Sequence, residues 1–295
     1  MNAKLLSQLS AAISTATQRP FELRRMTPVG GGSINESSRI EAADGTAYFL
    51  KLNDARHQDA FVAEAVGLAA IAATDTLRVP RVIAHGVADG QSYLVLEHLQ
   101  LSARGDARLL GEQLAALHRC SAGGYGFERD NFIGTTPQPN GWKKDWIDFW
   151  RERRLGFQLR LAAEKGYGGE LQRTGEQLLD ALPAFFAGYT PQPSLLHGDL
   201  WGGNHAYLAG GTPVIFDPAV YYGDRECDLA MTELFGGYPA EFYSAYRAAW
   251  PLDAGYANRR ELYNLYHILN HANLFGGGYV RQAEQMMRGL LSGID

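Results

Sequence analysis

The sequence predicts an α+β chain of two lobes: a small antiparallel sheet with one main helix, then a larger, mainly helical lobe. Three observations predict it. Residues 21–52 and 81–96 carry alternating apolar and polar side chains around the turn pairs Asp44-Gly45 and Asp89-Gly90, a strong hairpin signal. A single alanine-rich helical stretch, residues 60–74, separates these strand pairs. Beyond Glu97-His98-Leu99 the pattern changes to a succession of helical stretches. The chain has 295 residues, which exceeds the usual size of one domain. The expected division is an N-terminal lobe over 1–97 and a C-terminal lobe over 98–295, with a hinge at about 97–101.

Taken in order, Leu5, Leu6, Leu9 and Ile13 recur at helical spacing, so residues 1–18 read as an amphipathic helix. Phe21-Glu22-Leu23 opens a strand, and Gly30-Gly31-Gly32-Ser33 forms a glycine-rich turn. Strands follow over 37–42 and 47–52, then the helix, then strands over 81–86 and 92–96. Helices are expected at about 105–120, 141–165, 169–187, 226–235, 239–249, 256–275 and 279–292. Two short strand pieces, 194–196 and 213–217, interrupt them.

Composition narrows the partners. A hydrophobic content of 46% supplies a sizeable core, and a formal net charge of −5 argues against nucleic acid or an anionic membrane as an obligate partner. The N-terminus lacks the basic start and apolar run of a secretory signal, and no stretch approaches 18 consecutive apolar residues. Cys120 and Cys227 are the only cysteines and have no metal-binding spacing, which suggests a reducing, cytoplasmic setting.

The chemistry is concentrated in Leu196-His197-Gly198-Asp199-Leu200-Trp201-Gly202-Gly203-Asn204 and in Val214-Ile215-Phe216-Asp217. Phosphoryl transfer needs a carboxylate to orient and deprotonate the attacking hydroxyl, and ligands that fix magnesium on the phosphates. The pattern His-x-Asp-x-x-x-x-Asn matches a kinase catalytic loop, and a second Asp follows 18 positions after Asp199 at the end of a short strand. Asp199 is therefore the expected base, and Asn204 and Asp217 the expected metal ligands. His197 reads as a brace for the loop, and Asp228 as a second one.

The N-terminal lobe supplies matching parts. Lys51, on an alternating strand, is placed to grip the α- and β-phosphates of ATP, and Glu64 on the following helix is placed to pair with it. Backbone amides of Gly31, Gly32 and Ser33 are candidates for covering the phosphates, although the turn lacks full Gly-x-Gly-x-x-Gly spacing. Glu97 and Leu99, just past a strand, are candidates for pairing with adenine through the backbone. Together these features imply a bilobal protein-kinase-like fold that uses ATP and Mg2+.

Over nearly its whole length the chain resembles the fructosamine kinase (ketosamine 3-kinase) family, a branch of the aminoglycoside-phosphotransferase-like kinases. The marks are Gly31 to Asn35, Asp130 to Gly134, Gln138 to Trp142, Trp146 to Trp150 with Arg153-Arg154-Leu155, and Trp201 inside the catalytic loop. Phe216 to Ala219, Tyr222 to Glu226, Asp228 to Ala230, Leu269 to His271 and Leu274 to Tyr279 complete them. The resemblance implies ATP-dependent phosphorylation of the 3-hydroxyl of a sugar joined to an amine by Amadori rearrangement, which destabilises the adduct and reverses glycation. Ser33 stands where some relatives carry cysteine, so no thiol switch operates there.

The acceptor is expected to be a small molecule or a protruding glycated side chain. Only ten residues lie between Asp217 and Asp228, and no Ala-Pro-Glu signature follows, so the long peptide-binding segment of protein kinases is missing. Trp201 is a candidate for stacking on the sugar, and Trp142 for a further substrate contact. Trp146 and Trp150, at helical spacing, read as core. Asp224 or Glu226 is a candidate for meeting a substrate amine, and His271 with Asn270 and Asn273 reads as a core polar network. The alternatives are a kinase for an aminoglycoside, choline or a free sugar, and an inactive relative that only binds nucleotide.

Overall fold

In a computed structural model, residues 3–30 and 35–294 are described. The chain divides into two compact units, residues 1–106 together with 206–217, and residues 107–205 together with 218–295. The first unit thus ends nine residues beyond the predicted 97–98 boundary and takes back a short later segment.

The first unit begins with helix α1 (Ala3–Thr17), whose Leu5, Leu9 and Ile13 are buried at intervals of four. Ser14 Oγ accepts from the Phe21 amide (2.9 Å), and Ser10 Oγ accepts from the Leu23 amide (3.1 Å), turning the chain into the sheet. Strands β1 (Leu23–Pro28), β2 (Glu36–Ala42), β3 (Ala47–Asp54), β4 (Val82–Ala88) and β5 (Gln91–Glu97) form one antiparallel sheet in the order β1-β2-β3-β5-β4. The β4–β5 turn places Asp89 (φ 47°) and Gly90 (φ 79°) both in the left-handed region, as a two-residue type I′ hairpin requires.

Helix α2 (Gln58–Ala72) follows β3. Alternation along β3 sends Leu50 and Leu52 into the core they share with α1, and Lys51 to the opposite face, where Glu64 of α2 meets it. The glycine turn at Gly31, Gly32 and Ser33 lies outside the described residues.

The second unit contains α3 (Ala107–His118), the short hairpin β6 (Asn131–Ile133) and β7 (Thr136–Gln138), and one long helix in three parts. That helix runs as α4 (Trp146–Phe149), a π-helical turn (Trp150–Leu155) and α5 (Gly156–Glu164). Then come α6 (Glu170–Phe185) and β8 (Ser194–Leu196). Strands β9 (His205–Tyr207) and β10 (Pro213–Ile215), in the segment that returns to the first unit, pair with each other. Back in the second unit, β11 (Tyr221–Gly223) pairs antiparallel with β8. Helices α7 (Glu226–Leu234), α8 (Ala240–Ala249), α9 (Tyr256–Phe275) and α10 (Gly278–Ser292) complete the unit.

The predicted helices are present, but two strand pieces were expected after residue 105 and six are found among the described residues. β6, β7, β9 and β11 are each three residues long, too short to show a period. Trp146 and Trp150 are buried in the core of this unit, as expected, and α9 buries Asn270 and Asn273. Asn273 donates to both oxygens of Gln158, the backbone carbonyl at 2.9 Å and Oε1 at 2.8 Å.

Candidate active site

In the first unit, Lys51 is 5% exposed and its Nζ donates to Glu64 Oε1 at 2.7 Å and to Asp217 Oδ1. Burial alone would depress this ammonium, but the two carboxylates overcome that and hold its pKa above the ordinary lysine value. Burial pushes the Glu64 carboxyl up to about 7 against the pull of Lys51. Asp217 leaves β10 with a φ of 58°, a left-handed conformation rare for a non-glycine residue, and its side chain stays partly exposed. Lys51, Glu64 and Asp217 are therefore brought together, 166 residues of sequence separating the first from the last.

Glu97 ends β5. Its side chain accepts from Arg78 Nη2 (2.5 Å) and from the Arg81 amide (3.2 Å), and its own amide donates to the Arg81 carbonyl (2.9 Å). Leu99 lies in the segment without regular secondary structure that follows.

In the second unit, the loop 197–204 folds on itself. Asn204 Nδ2 donates to the Asp199 carbonyl (2.8 Å) and to its carboxylate Oδ2 (3.3 Å), and the Trp201 amide donates to the Asp199 carbonyl (3.1 Å). This use of Nδ2 leaves the amide oxygen as the Asn204 atom able to meet a cation. Trp201 is 40% exposed, and its backbone carbonyl accepts from Tyr238 OH at 3.1 Å.

Asp228, on the first turn of α7, fixes the start of this loop. Its two oxygens accept from the amides of His197 (2.7 Å) and Gly198 (2.8 Å), and His118 Nε2 lies 3.1 Å from Oδ2. Burial would raise this carboxyl, but His118, His197 and the Gly198 amide together hold it below the usual carboxylate range. Gly198 has a φ of 84°, and a Cβ there would stand 2.1 Å from the Ala219 carbonyl oxygen. Glycine is thus required at the position before Asp199. His118 carries no local signal in the sequence, since only packing brings the end of α3 to the loop.

Two expectations need correction. Asp224 and Glu226 are fully buried. Asp224 accepts from Tyr263 OH (2.6 Å), Tyr189 OH (3.1 Å) and the Glu226 amide (3.0 Å), while Glu226 binds Arg259 through Nε (2.7 Å) and Nη2 (3.1 Å). Their hydrogen-bonding capacity is taken up by the core, so neither is placed to meet a substrate amine. Trp142, by contrast, is 46% exposed and stacks on Tyr222 at 5.9 Å.

The donor chemistry fits a hard cation. Among the described residues there is no group of three or more His, Cys, Asp or Glu able to hold a metal by itself. An amide oxygen, as on Asn204, and a carboxylate, as on Asp217, are each oxygen donors of the kind that magnesium accepts.

A β-rich unit with a buried Lys–Glu pair and a braced His-x-Asp-x-x-x-x-Asn loop define a phosphotransferase of the protein-kinase-like class. Residues 5–293 match the family model described as fructosamine kinase. The chain is 50% identical to a "probable ketoamine kinase" from Synechocystis sp., over 95% of each chain. It is 42% identical to the chloroplastic protein-ribulosamine 3-kinase of Arabidopsis thaliana, over 88% of this chain and 80% of that one. A crystal structure of a candidate fructosamine-3-kinase from Haemophilus somnus superposes with a TM-score of 0.89 at 30% identity, covering 98% of both chains. The chain belongs to the fructosamine kinase family, and it is an ATP-using kinase.

Proposed function

We propose that this protein transfers the γ-phosphoryl group of ATP to the 3-hydroxyl of ketosamines, sugar–amine adducts of the fructosamine and ribulosamine type, and so promotes their deglycation. The observation that carries this reading is the family match over residues 5–293, joined to an intact set of Asp199, Asn204, Asp217, Lys51 and Glu64.

In this reading Asp199 orients the attacking hydroxyl and accepts its proton as the new O–P bond forms and the bond to ADP breaks. Lys51, held by Glu64, grips the α- and β-phosphates. Asn204 and Asp217 supply oxygen ligands to Mg2+, which when bound neutralises charge on the transferring phosphoryl group. Gly31, Gly32 and Ser33 cover the phosphates through their amides, and Glu97 and Leu99 pair with adenine through the backbone. The exposed indole faces of Trp201 and Trp142 suit the C–H face of a sugar. Both cysteines are free, which supports a reducing, cytoplasmic setting.

A panel of fructosyl-, ribulosyl- and erythrulosyl-amines, both as free amines and on protein lysines, tests the assignment with Mg-ATP. Phosphate at O3, read by NMR, is the expected product. Brisk turnover of an aminoglycoside or choline with no turnover of any ketosamine would remove it.

A further inference from the structure

The sequence blocks Asp130 to Gly134 and Gln138 to Trp142 mark the family, yet apart from Trp142 they supply none of the groups named above. The structure gives them work. Asn131 of β6 and Gln138 of β7 are register partners, and both are buried. Gln138 Nε2 donates to Asn131 Oδ1 at 2.7 Å, which fixes both amides in one orientation. Each then donates to the backbone of one short segment: Gln138 Nε2 to the Ala219 carbonyl (3.1 Å) and Asn131 Nδ2 to the Val220 carbonyl (2.8 Å). Tyr266 OH donates to Gln138 Oε1 at 2.8 Å, so the remaining acceptor of that amide is also satisfied.

Ala219 is the contact that joins this pair to the catalytic loop. Its amide donates to the His197 carbonyl at 2.8 Å, and its carbonyl is the oxygen against which Gly198 packs too closely for any side chain. The loop before Asp199 is therefore held from two sides, by Asp228 through the amides of His197 and Gly198, and by Ala219 through the carbonyl of His197. The second hold is only as firm as the placement of residues 219–220. Arg154, on the π-helical turn, ties the hairpin down in its turn by donating to the Pro139 carbonyl (2.8 Å) and to Asn140 Oδ1 (2.7 Å).

We propose that Gln138 and Asn131 are positioning residues for the phosphoryl-transfer step: their paired amides clamp the 219–220 backbone and thereby set the orientation of the Asp199 loop. This inference rests on the reading of Asp199 as the base. A buried amide pair spending both its donors on consecutive carbonyls is costly to leave half-made, so its partners are strongly specified. A misplacement of the order of 1 Å at a reacting group lowers turnover by as much as about a hundredfold.

The test is a double-mutant cycle on the full-length enzyme between Gln138→Met and Asp199→Asn, with kcat, the KM for ATP and the thermal midpoint measured for each. The expected result is a fall in kcat of about tenfold or more for Gln138→Met with the KM for ATP unchanged, and no further fall when the substitution is added to Asp199→Asn. A kcat within twofold of wild type, or a loss that multiplies in full with that of Asp199→Asn, overturns the proposal. If Asp199→Asn itself retains near-normal turnover, the base assignment has failed instead, and the two failures are distinct. Should Gln138→Met not fold, Tyr266→Phe frees the same amide without emptying the core. Its expected loss is several-fold in kcat, again absent in the Asp199→Asn background, and an additive loss overturns the proposal equally.

Discussion

Asp199 and Asn204 are joined by a side chain–side chain contact of 3.3 Å as well as by the backbone contact at 2.8 Å, and this sets up a clean substitution. Asparagine at position 199 keeps the shape of the side chain and an oxygen for Asn204 to reach, and removes only the proton acceptor. Asp199→Asn is therefore expected to lower kcat by at least about a hundredfold, the scale of a positioned general base, while nucleotide affinity measured by calorimetry stays put. Turnover within a few-fold of wild type would show that another group takes the proton. The same residues show what a sequence can disclose. Asp199, Asn204 and Asp217 are legible because one loop and one short strand fix their offsets along the chain. Asp224 and Glu226 misled because acid side chains close to an expected metal-binding Asp look available. Their burial under Tyr189, Tyr263 and Arg259 depends on partners 33 to 39 residues away.

At the scale of elements, long helices and the hairpins of the first sheet announce themselves by period and by turn residues, whereas three-residue strands such as β6, β7 and β11 do not. They are held by side-chain amides and by neighbouring backbone, as the Asn131–Gln138 pair shows, and that information is non-local. The docking of α7 on the catalytic loop is of the same kind, and it carries a pH dependence. Asp228 has a folded-state pKa below its unfolded value of about 3.9. Its contribution to stability is thus fully present above the unfolded pKa and is lost as pH falls through the folded one. Asp228→Asn is expected to cost on the order of 3 kcal/mol at pH 7, since two amide donors and His118 lose a buried charged acceptor. Urea unfolding of both proteins across pH 3 to 8 checks the sign: the gap between them should narrow only below about pH 4. A gap that widens in acid, or one of the same size throughout, would mean that the carboxylate charge is not what holds the loop.

For the whole molecule, the informative feature is the return of residues 206–217 to the first unit. β10 re-enters it by pairing Val214 with Arg78, and Tyr207 pairs with Ser102 while its ring covers Gly105. Asp217 therefore belongs to the same compact unit as Lys51 and Glu64, whereas Asp199 and Asn204 belong to the other. A boundary drawn once along the sequence, at about 97, could not anticipate this, because the segment is recognised by its strand partners and not by its composition. The placement has a consequence for nucleotide binding. Lys51 bears its charge between two carboxylates, one mostly covered on α2 and one partly exposed just past the end of β10. Of the two, Asp217 is the more exposed, and it is the one proposed to meet Mg2+. Asp217→Ala is expected to leave metal-free ATP binding close to wild type, since Lys51 and Glu64 remain paired, and to abolish most of the gain in affinity that Mg2+ gives. Glu64→Gln should act in the opposite sense, weakening ATP binding with and without metal by loosening the lysine. Calorimetric titration of ATP into each variant, in magnesium and in chelator, separates the two. Equal dependence on Mg2+ in wild type and Asp217→Ala would remove this carboxylate from the metal site and leave it only as a partner for Lys51.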